Sequence, residues 1–507
     1  MSPVRTAPGY WILCALLLPL VIFAAFNMPW GQTADMWETA AAIRAAAQNV
    51  LHPSNPLLPL PGSTSPRFTP FVIFWGAFAR LSGLGLFTVV GLAGVANFLL
   101  FVTGLARWIT GQFKEPKLAI FVLICMLAVW GEGYSYANAY HFGFFLSTLA
   151  YVGTFTYGVC FHALAFLRTY MDTPKAWGSL IAYALLGTLA FVTHPITGAF
   201  LFVAAAAMLL PEKSLFYTAR LQLVPLVAFG LTLLWPYFNY WDTLTKGSTD
   251  NWFPHALFTG QIPALGTALL GLIILFYYYR RRRYLSVVLG GLFCFALYGL
   301  CGAARIFIGN RFLLYGTIFL HIAIALYLFE NWPRWWREIS FRQPRTLTKL
   351  AVVVLLFLPA MRFRAGETYH LGQDMAHAAF GSYHHETTAE RFCFLSTQLG
   401  DTNVVLTEDD TGWPVPAICG ARLVSQQKGD PLIQQEIVRR RKDAESFFKD
   451  PLSIDERRDM LKRYKVSHVL LDLWHQDTWD NMLFAQLTQI AREQMVQDKV
   501  VLYRVLP

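Results

Sequence analysis

Residues 67–83, RFTPFVIFWGAFARLSG, decide how the chain is threaded. The stretch is apolar enough to be taken for a membrane span. It carries Arg80, however, and breaks at Gly83 and Gly85. Counting it as a span puts the run Arg280-Arg281-Arg282-Arg283 on the outer side, against the tendency of Lys and Arg to stay cytoplasmic. Laid flat as an amphipathic helix, with Phe and Trp as interfacial anchors, it leaves that run inside.

Working outward, apolar runs near 20 residues recur over the first 360 positions, each long enough for a hydrocarbon core of about 30 Å. The composition agrees: 507 residues, 55% apolar and 14% charged, against about 25% charged in soluble domains. Spans are expected near 10–27, 86–107, 117–131, 142–167, 177–193, 198–210, 221–241, 263–279, 284–301, 312–330 and 350–362. The segments placed inside hold 17 Lys and Arg, and the opposite short loops with residues 28–84 hold six. This asymmetry accounts for the net charge of +10 without nucleic acid. The first run has no small-residue cleavage site after it and reads as a retained span.

After Arg364 the composition becomes mixed and charged. Segments 403–407, 468–472 and 500–505 read as short buried strands, and 386–399, 431–448, 453–464 and 478–495 as helices. The expected organisation is a polytopic α-helical domain over 1–364, with residues 28–84 as an outer loop bearing in-plane helices. A soluble α/β domain over 365–507 follows, outside the cytoplasm. Five cysteines lie in or beside spans as small apolar fillers. Cys393 and Cys419 lie in the soluble part, and sequence leaves their bridging open.

The outer loop begins GQTADMWETAAAIRAAAQ (31–48). Asp35 opens an Ala-rich helix. It can serve as a cap and dipole partner, or as a general base at the membrane surface. The length and proline content of the loop favour the base. With the stretch SPRFTPFVIFWGAFARLSGLGLFTVVGLAGVANFLLFVTGLARWITG (65–111), the layout resembles the GT-C superfamily of membrane glycosyltransferases. Within it, the chain resembles the group transferring aminoarabinose, mannose and arabinofuranose from polyprenyl-phosphate donors. The resemblance implies a multispan body with an outer domain, a lipid-linked sugar donor and an inverting transfer. Asp35 matches the family's catalytic Asp, and Trp37 loosely matches the aromatic that follows it. Glu132, in GEGYSYANAYHFG, is the one candidate for a second outer acid, so a metal built on paired acids is not supported and no cofactor is expected.

Other polar residues gather on the outer side. His141 and His194 are helix caps or substrate contacts. Lys246 and His255 lie in the loop 242–262, which can cover a substrate. Arg305 and Arg311 flank a short outer loop in CGAARIFIGNRFLLYG, where the charge rule disfavours Arg. A guanidinium suits phosphate because its fork donates to two oxygens, although snorkelling to headgroups explains the same placement. Arg67 is a third candidate for the donor phosphate. Glu408, Asp409 and Asp410 read as a solvated turn. There is no Walker motif, GxGxxG, HExxH or CxxC.

The partners expected are a polyprenyl-phosphate-linked sugar, an envelope glycan, lipid or protein acceptor, and membrane lipids. The expected location is the bacterial cytoplasmic membrane, with the N-terminus inside and residues 365–507 outside. A lipid-linked glycan polymerase or ligase shares this outer-face chemistry. An envelope-precursor transporter would show mid-span charges and related halves, neither of which is evident.

Overall fold

The computed structural model describes residues 6–27, 34–60, 62–131, 139–245, 258–259, 261–338, 344–380, 388–426 and 428–506. Glu132, Lys246 and His255 lie outside the described residues. The chain divides into two compact units. The first holds Met1–Ala25, Leu92–Thr232 and Asn251–His384; the second holds Phe26–Gly91, Leu233–Asp250 and His385–Pro507.

The first unit is helical. Among the described residues, six helices of the chain have the length and apolarity to cross a bilayer: Pro8–Asn27, Leu86–Phe113, Leu215–Leu234, Gln261–Arg280, Leu285–Ala303 and Arg311–Trp332. At 1.5 Å per residue the shortest of these, 19 residues, runs about 28 Å, close to the apolar thickness of a membrane. Shorter apolar helices occur at Leu118–Ala128, Trp177–Thr193 and Pro195–Leu209. The protein is a multi-pass membrane protein. The helix from Arg311 is the central one, with Thr317, Ile318, His321, Ala323 and Ala325 wholly buried. Small residues let its neighbours approach: a Cβ on Gly290 would meet the Phe319 ring at 2.3 Å. Outer helices expose large apolar side chains such as Leu16, Ile273 and Leu300, as lipid-facing surfaces do.

Three spans differ from their sequence reading, the first being 221–241, where one helix covers Leu215–Leu231 and a separate one starts at Tyr240. The stretch 142–167 is not one helix but Phe142–Ser147 followed by Val152–Asp172. Asn97, buried and 52 residues away, donates from Nδ2 to Leu149 O at 2.8 Å, and so satisfies a carbonyl freed by the break. The expected span 350–362 lies inside one longer helix, Pro344–Phe380.

The second unit is built on a five-stranded sheet of order β2-β1-β3-β5-β4. Its strands are β1 (Val404–Leu406), β2 (Arg422–Leu423), β3 (His468–Asp472), β4 (Ala491–Gln497) and β5 (Val500–Val505). β1 pairs in parallel with β2 and β3, while β5 runs antiparallel to β3 and β4. Phe447, Leu461, Val469, Leu483 and Leu487 fill the core beside it. The helix Ile454–Arg463 starts at a capping box, Ser453 with Glu456.

The expected helix 478–495 is corrected: a helix covers Leu483–Ile490 only, and 491–497 is strand β4. AREQMVQ favours a helix locally, but a tight reversal at Asp498 and Lys499, both at positive φ, folds it back onto β5. Ladder pairing then outweighs propensity. In place of the one helix expected over 386–399, the described residues form two short ones, Thr388–Phe392 and Leu395–Gln398. Cys393 is exposed, Cys419 is buried, and both are free thiols.

The outer loop folds into this same unit. Thr69 caps the helix Pro70–Ser82, Pro70 occupies its first turn, and Gly83 ends it in the left-handed region at φ 67°. Thirteen residues span about 20 Å, too little to cross a bilayer. Its face bearing Phe71, Val72, Gly76 and Ala79 is buried, while Phe74 and Leu81 are exposed. It crosses the helix Ala34–Gln48 closely, since a Cβ on Gly76 would lie 2.5 Å from Ala46 Cβ. Beyond the crossing, Leu423 N–H of β2 donates to Leu57 O at 2.7 Å, and Arg422 reaches Ser54 Oγ at 2.7 Å. The loop thereby covers the open edge of the sheet.

Candidate functional site

Asp35 stands in the first turn of the Ala34–Gln48 helix, where a carboxylate meets the positive end of the helix dipole. Its side chain is 38% exposed, and Oδ1 accepts from Lys428 Nζ at 2.5 Å. One turn on, Glu38 accepts from Arg67 Nε at 2.8 Å, and Arg67 Nη1 reaches Asp430 Oδ2 at 3.3 Å. The side chains of Arg67, Glu38 and Asp430 are 12%, 6% and 0% exposed. Burial works against the Arg67 charge, but Glu38, Asp430 and Asp35 outweigh it and raise the guanidinium's affinity for its proton. Burial pushes the Asp430 carboxyl above its ordinary range although Arg67 opposes it. Arg67, expected at the donor phosphate, is therefore committed to two buried carboxylates. Trp37 is buried and packs edge-on against Phe87 at 6.3 Å, so it serves as packing for the helix that carries Asp35.

In the first unit, His141 is buried and caps the helix Phe142–Ser147, accepting at Nδ1 from Phe144 N–H. Arg364 Nη1 lies 2.6 Å from the same Nδ1 and 2.7 Å from Glu367 Oε2, which also accepts from Gly143 N–H at 3.0 Å. The same Nδ1 lies 3.2 Å from Glu367 Oε1, so the ring, the guanidinium and the carboxylate form one cluster. His194 Nδ1 accepts from Thr197 N–H at 3.2 Å and caps the turn Pro195–Gly198. That turn also accepts, at Ile196 O, from the Tyr315 hydroxyl.

Tyr315 lies one turn beyond Arg311, the first residue of its helix, and the charge of Arg311 acts on both Tyr315 and Tyr157. Arg311 is half-buried, with Nε and Nη1 closed to solvent. Beside it Asn310 is wholly buried and, among the described residues, neither polar atom of its amide has a partner; the same holds for the Tyr157 hydroxyl. Such groups are costly unless something hydrogen-bonds to them. Arg305 is exposed at φ 54°.

Glu408, Asp409 and Asp410 do not form a mere solvated turn. They line a cavity of about 290 Å³ at the carboxyl end of β1, with Arg441, Glu445, Phe448 and Lys449. Asp409 accepts from Ser425 at 2.8 Å and pairs with Arg441 at 3.2 Å. Burial nevertheless pushes its carboxyl up, aided by Asp410 and Glu445. Among the described residues no group of three His, Cys, Asp or Glu is arranged to hold a metal.

Sequence reasoning missed Glu38, Lys428, Asp430, Asn310, Tyr157 and the pair Arg364–Glu367. Lys428 and Asp430 sit in a polar, surface-like stretch with no local signal. Arg364 had one, a charge just past an apolar run.

No family profile matches the chain, and no curated protein matches it in sequence. Its fold is shared by several solved structures. One is ArnT from Cupriavidus metallidurans in the apo state, at 12% identity over 98% of this chain and 97% of that one, with a TM-score of 0.54. The same protein bound to undecaprenyl phosphate aligns over 98% of both chains at TM-score 0.53, again at 12% identity. The archaeal oligosaccharyltransferase AglB from Archaeoglobus fulgidus, in complex with an inhibitory peptide and a dolichol-phosphate, aligns over 96% of this chain and 73% of that one. Its identity is 13% and its TM-score 0.53. The chain thus shares its fold with these proteins over nearly its whole length.

Proposed function

We propose that the protein is an inverting glycosyltransferase that moves a sugar from a polyprenyl-phosphate donor to an envelope acceptor at the outer face of the bacterial cytoplasmic membrane. The observation that carries this reading is Asp35. It is a partly exposed carboxylate fixed at a helix N-terminus, in a chain whose fold is shared with proteins solved bound to undecaprenyl phosphate and to dolichol phosphate.

Asp35 takes the proton of the acceptor hydroxyl as its oxygen attacks the anomeric carbon. The bond from that carbon to the phosphate oxygen breaks, and polyprenyl phosphate leaves. Arg311 and Arg305 are assigned to the phosphate charge. The unpartnered Asn310 amide and Tyr157 hydroxyl beside Arg311 support a polar ligand there. Arg67 is left out of this set because its fork is occupied. The N-terminus is assigned to the cytoplasm and residues 365–507 to the outside, on the loop charges.

Asp35→Asn in the purified protein, assayed with a lipid-linked sugar, is expected to lower turnover by about 10²- to 10⁴-fold. Unchanged turnover refutes the base. The likeness to AglB favours one further reading, transfer of an oligosaccharide instead of a single sugar. Comparing lipid-linked mono- and oligosaccharides in the same assay separates the two.

A further inference from the structure

The helix Ala34–Gln48 presents two acids one turn apart, and they are treated differently. Glu38 is sealed into the buried cluster with Arg67 and Asp430. Asp35 is partly exposed and takes a lysine contact, Lys428 Nζ to Oδ1 at 2.5 Å, with the lysine and aspartate side chains 45% and 38% exposed. Lys428 and Asp430 belong to one short segment after β2. Asp430, wholly buried, fixes that segment by bonding Arg67 and by accepting from Leu432 N–H at 3.0 Å. From this fixed point the chain delivers an ammonium to the carboxylate 393 positions earlier in sequence.

An exposed ion pair of this kind adds little to stability. Its effect is on geometry: it selects one rotamer of a short side chain whose neighbouring cation, Arg67, is already held by two other acids.

We propose that Lys428 is a positioning residue for Asp35, supplied by the C-terminal segment after β2, and that the base is complete only with this segment in place. This rests on the reading of Asp35 as general base. Lys428 stays protonated throughout. The proton passes from the acceptor hydroxyl to the Asp35 carboxylate, and Lys428 holds that carboxylate in register and balances its charge before transfer. The charge that develops on the leaving phosphate lies across the anomeric carbon from the base, so a cation bonded to the base serves the base and not the leaving group.

The test uses the full-length protein in detergent. The probe is whichever undecaprenyl-phosphate-linked hexose, pentose or aminopentose the unaltered chain turns over. Lys428→Met is expected to lower kcat about tenfold with donor KM within about twofold. Lys428→Arg, which keeps the cation, is expected to recover most of the loss, and a thermal melt of each variant checks folding. In an Asp35→Asn background Lys428→Met should cost nothing further. An inactive Asp35→Asn beside a fully active Lys428→Met overturns the role of Lys428 and leaves the base standing. An active Asp35→Asn overturns both. Equal loss in Lys428→Met and Lys428→Arg, or loss confined to KM, also overturns the proposal.

Discussion

Replacing Arg67 by leucine should strongly destabilise the second unit. The substitution removes the cation that contacts two carboxylates that are 6% and 0% exposed, Glu38 at 2.8 Å and Asp430 at 3.3 Å. Removing one member of a buried ionic group leaves uncompensated charge and costs about 3–5 kcal/mol. In a unit of about 200 residues, each kcal/mol is worth about 2–4 °C, so the melting temperature should fall by about 6–20 °C. The assay is thermal unfolding of the purified protein in detergent, followed by tryptophan fluorescence. Arg67→Leu combined with Asp430→Leu should melt above Arg67→Leu alone, because one of the two stranded carboxylates is gone. A melting temperature within about 2 °C of the unaltered chain refutes the buried cluster, since even one lost kcal/mol shifts it by that much. If that result came with a raised donor KM, Arg67 would return to the phosphate site where the sequence placed it.

Other perturbations test the same unit. Arg457, wholly buried, donates to Phe447 O at 3.1 Å, Leu452 O at 2.8 Å and Asp450 O at 3.1 Å, and pairs with Asp480 at 2.8 Å. Arg457→Met should therefore cost about 3–5 kcal/mol, read by denaturant or thermal melts. Gly76→Val forces the helices Ala34–Gln48 and Pro70–Ser82 apart at Ala46 and should cost about 1–3 kcal/mol; an unchanged melt would mean that they do not cross there. Asp409 is held above its ordinary carboxyl range by burial, so the folded state favours its protonated form. Stability should then rise as pH falls from about 7 toward 4 through the folded value, and Asp409→Asn should flatten part of that rise, with Asp430 supplying more of it. An identical slope in the variant refutes the assignment to Asp409.

Much of the architecture was legible because its signals are local. β3 and β5 fall on 468–472 and 500–505, the helix Trp177–Thr193 falls on its expected span, and Ser453 with Glu456 marks the start of Ile454–Arg463. In each case a few neighbouring residues carry the reason: a short apolar run bounded by polar residues, a length matched to the bilayer, a side chain that reaches the next backbone N–H. The misreadings share the opposite cause. β4 looks helical because its residues prefer helix, and the ladder that overrules them comes from β5. The break at 148–151 is supported by Asn97 on another helix, which no window around 148 contains.

The candidate site divides in the same way. Asp35 could be picked out from the chain alone, because a helix start, an early acid and a long proline-bearing loop lie together in sequence. The sequence by itself determined that the chain is a multi-pass membrane protein with a terminal α/β segment, since hydropathy over some 20 residues is a property of composition. Only tertiary structure decided which charges neutralise one another. Arg67 went from phosphate ligand to buried counter-ion, and Lys428 from surface residue to partner of Asp35, through contacts spanning 363 and 393 positions. Charge pairing acts over a few ångströms of space, and the separation of two residues along the chain says nothing about that distance until the fold has closed it.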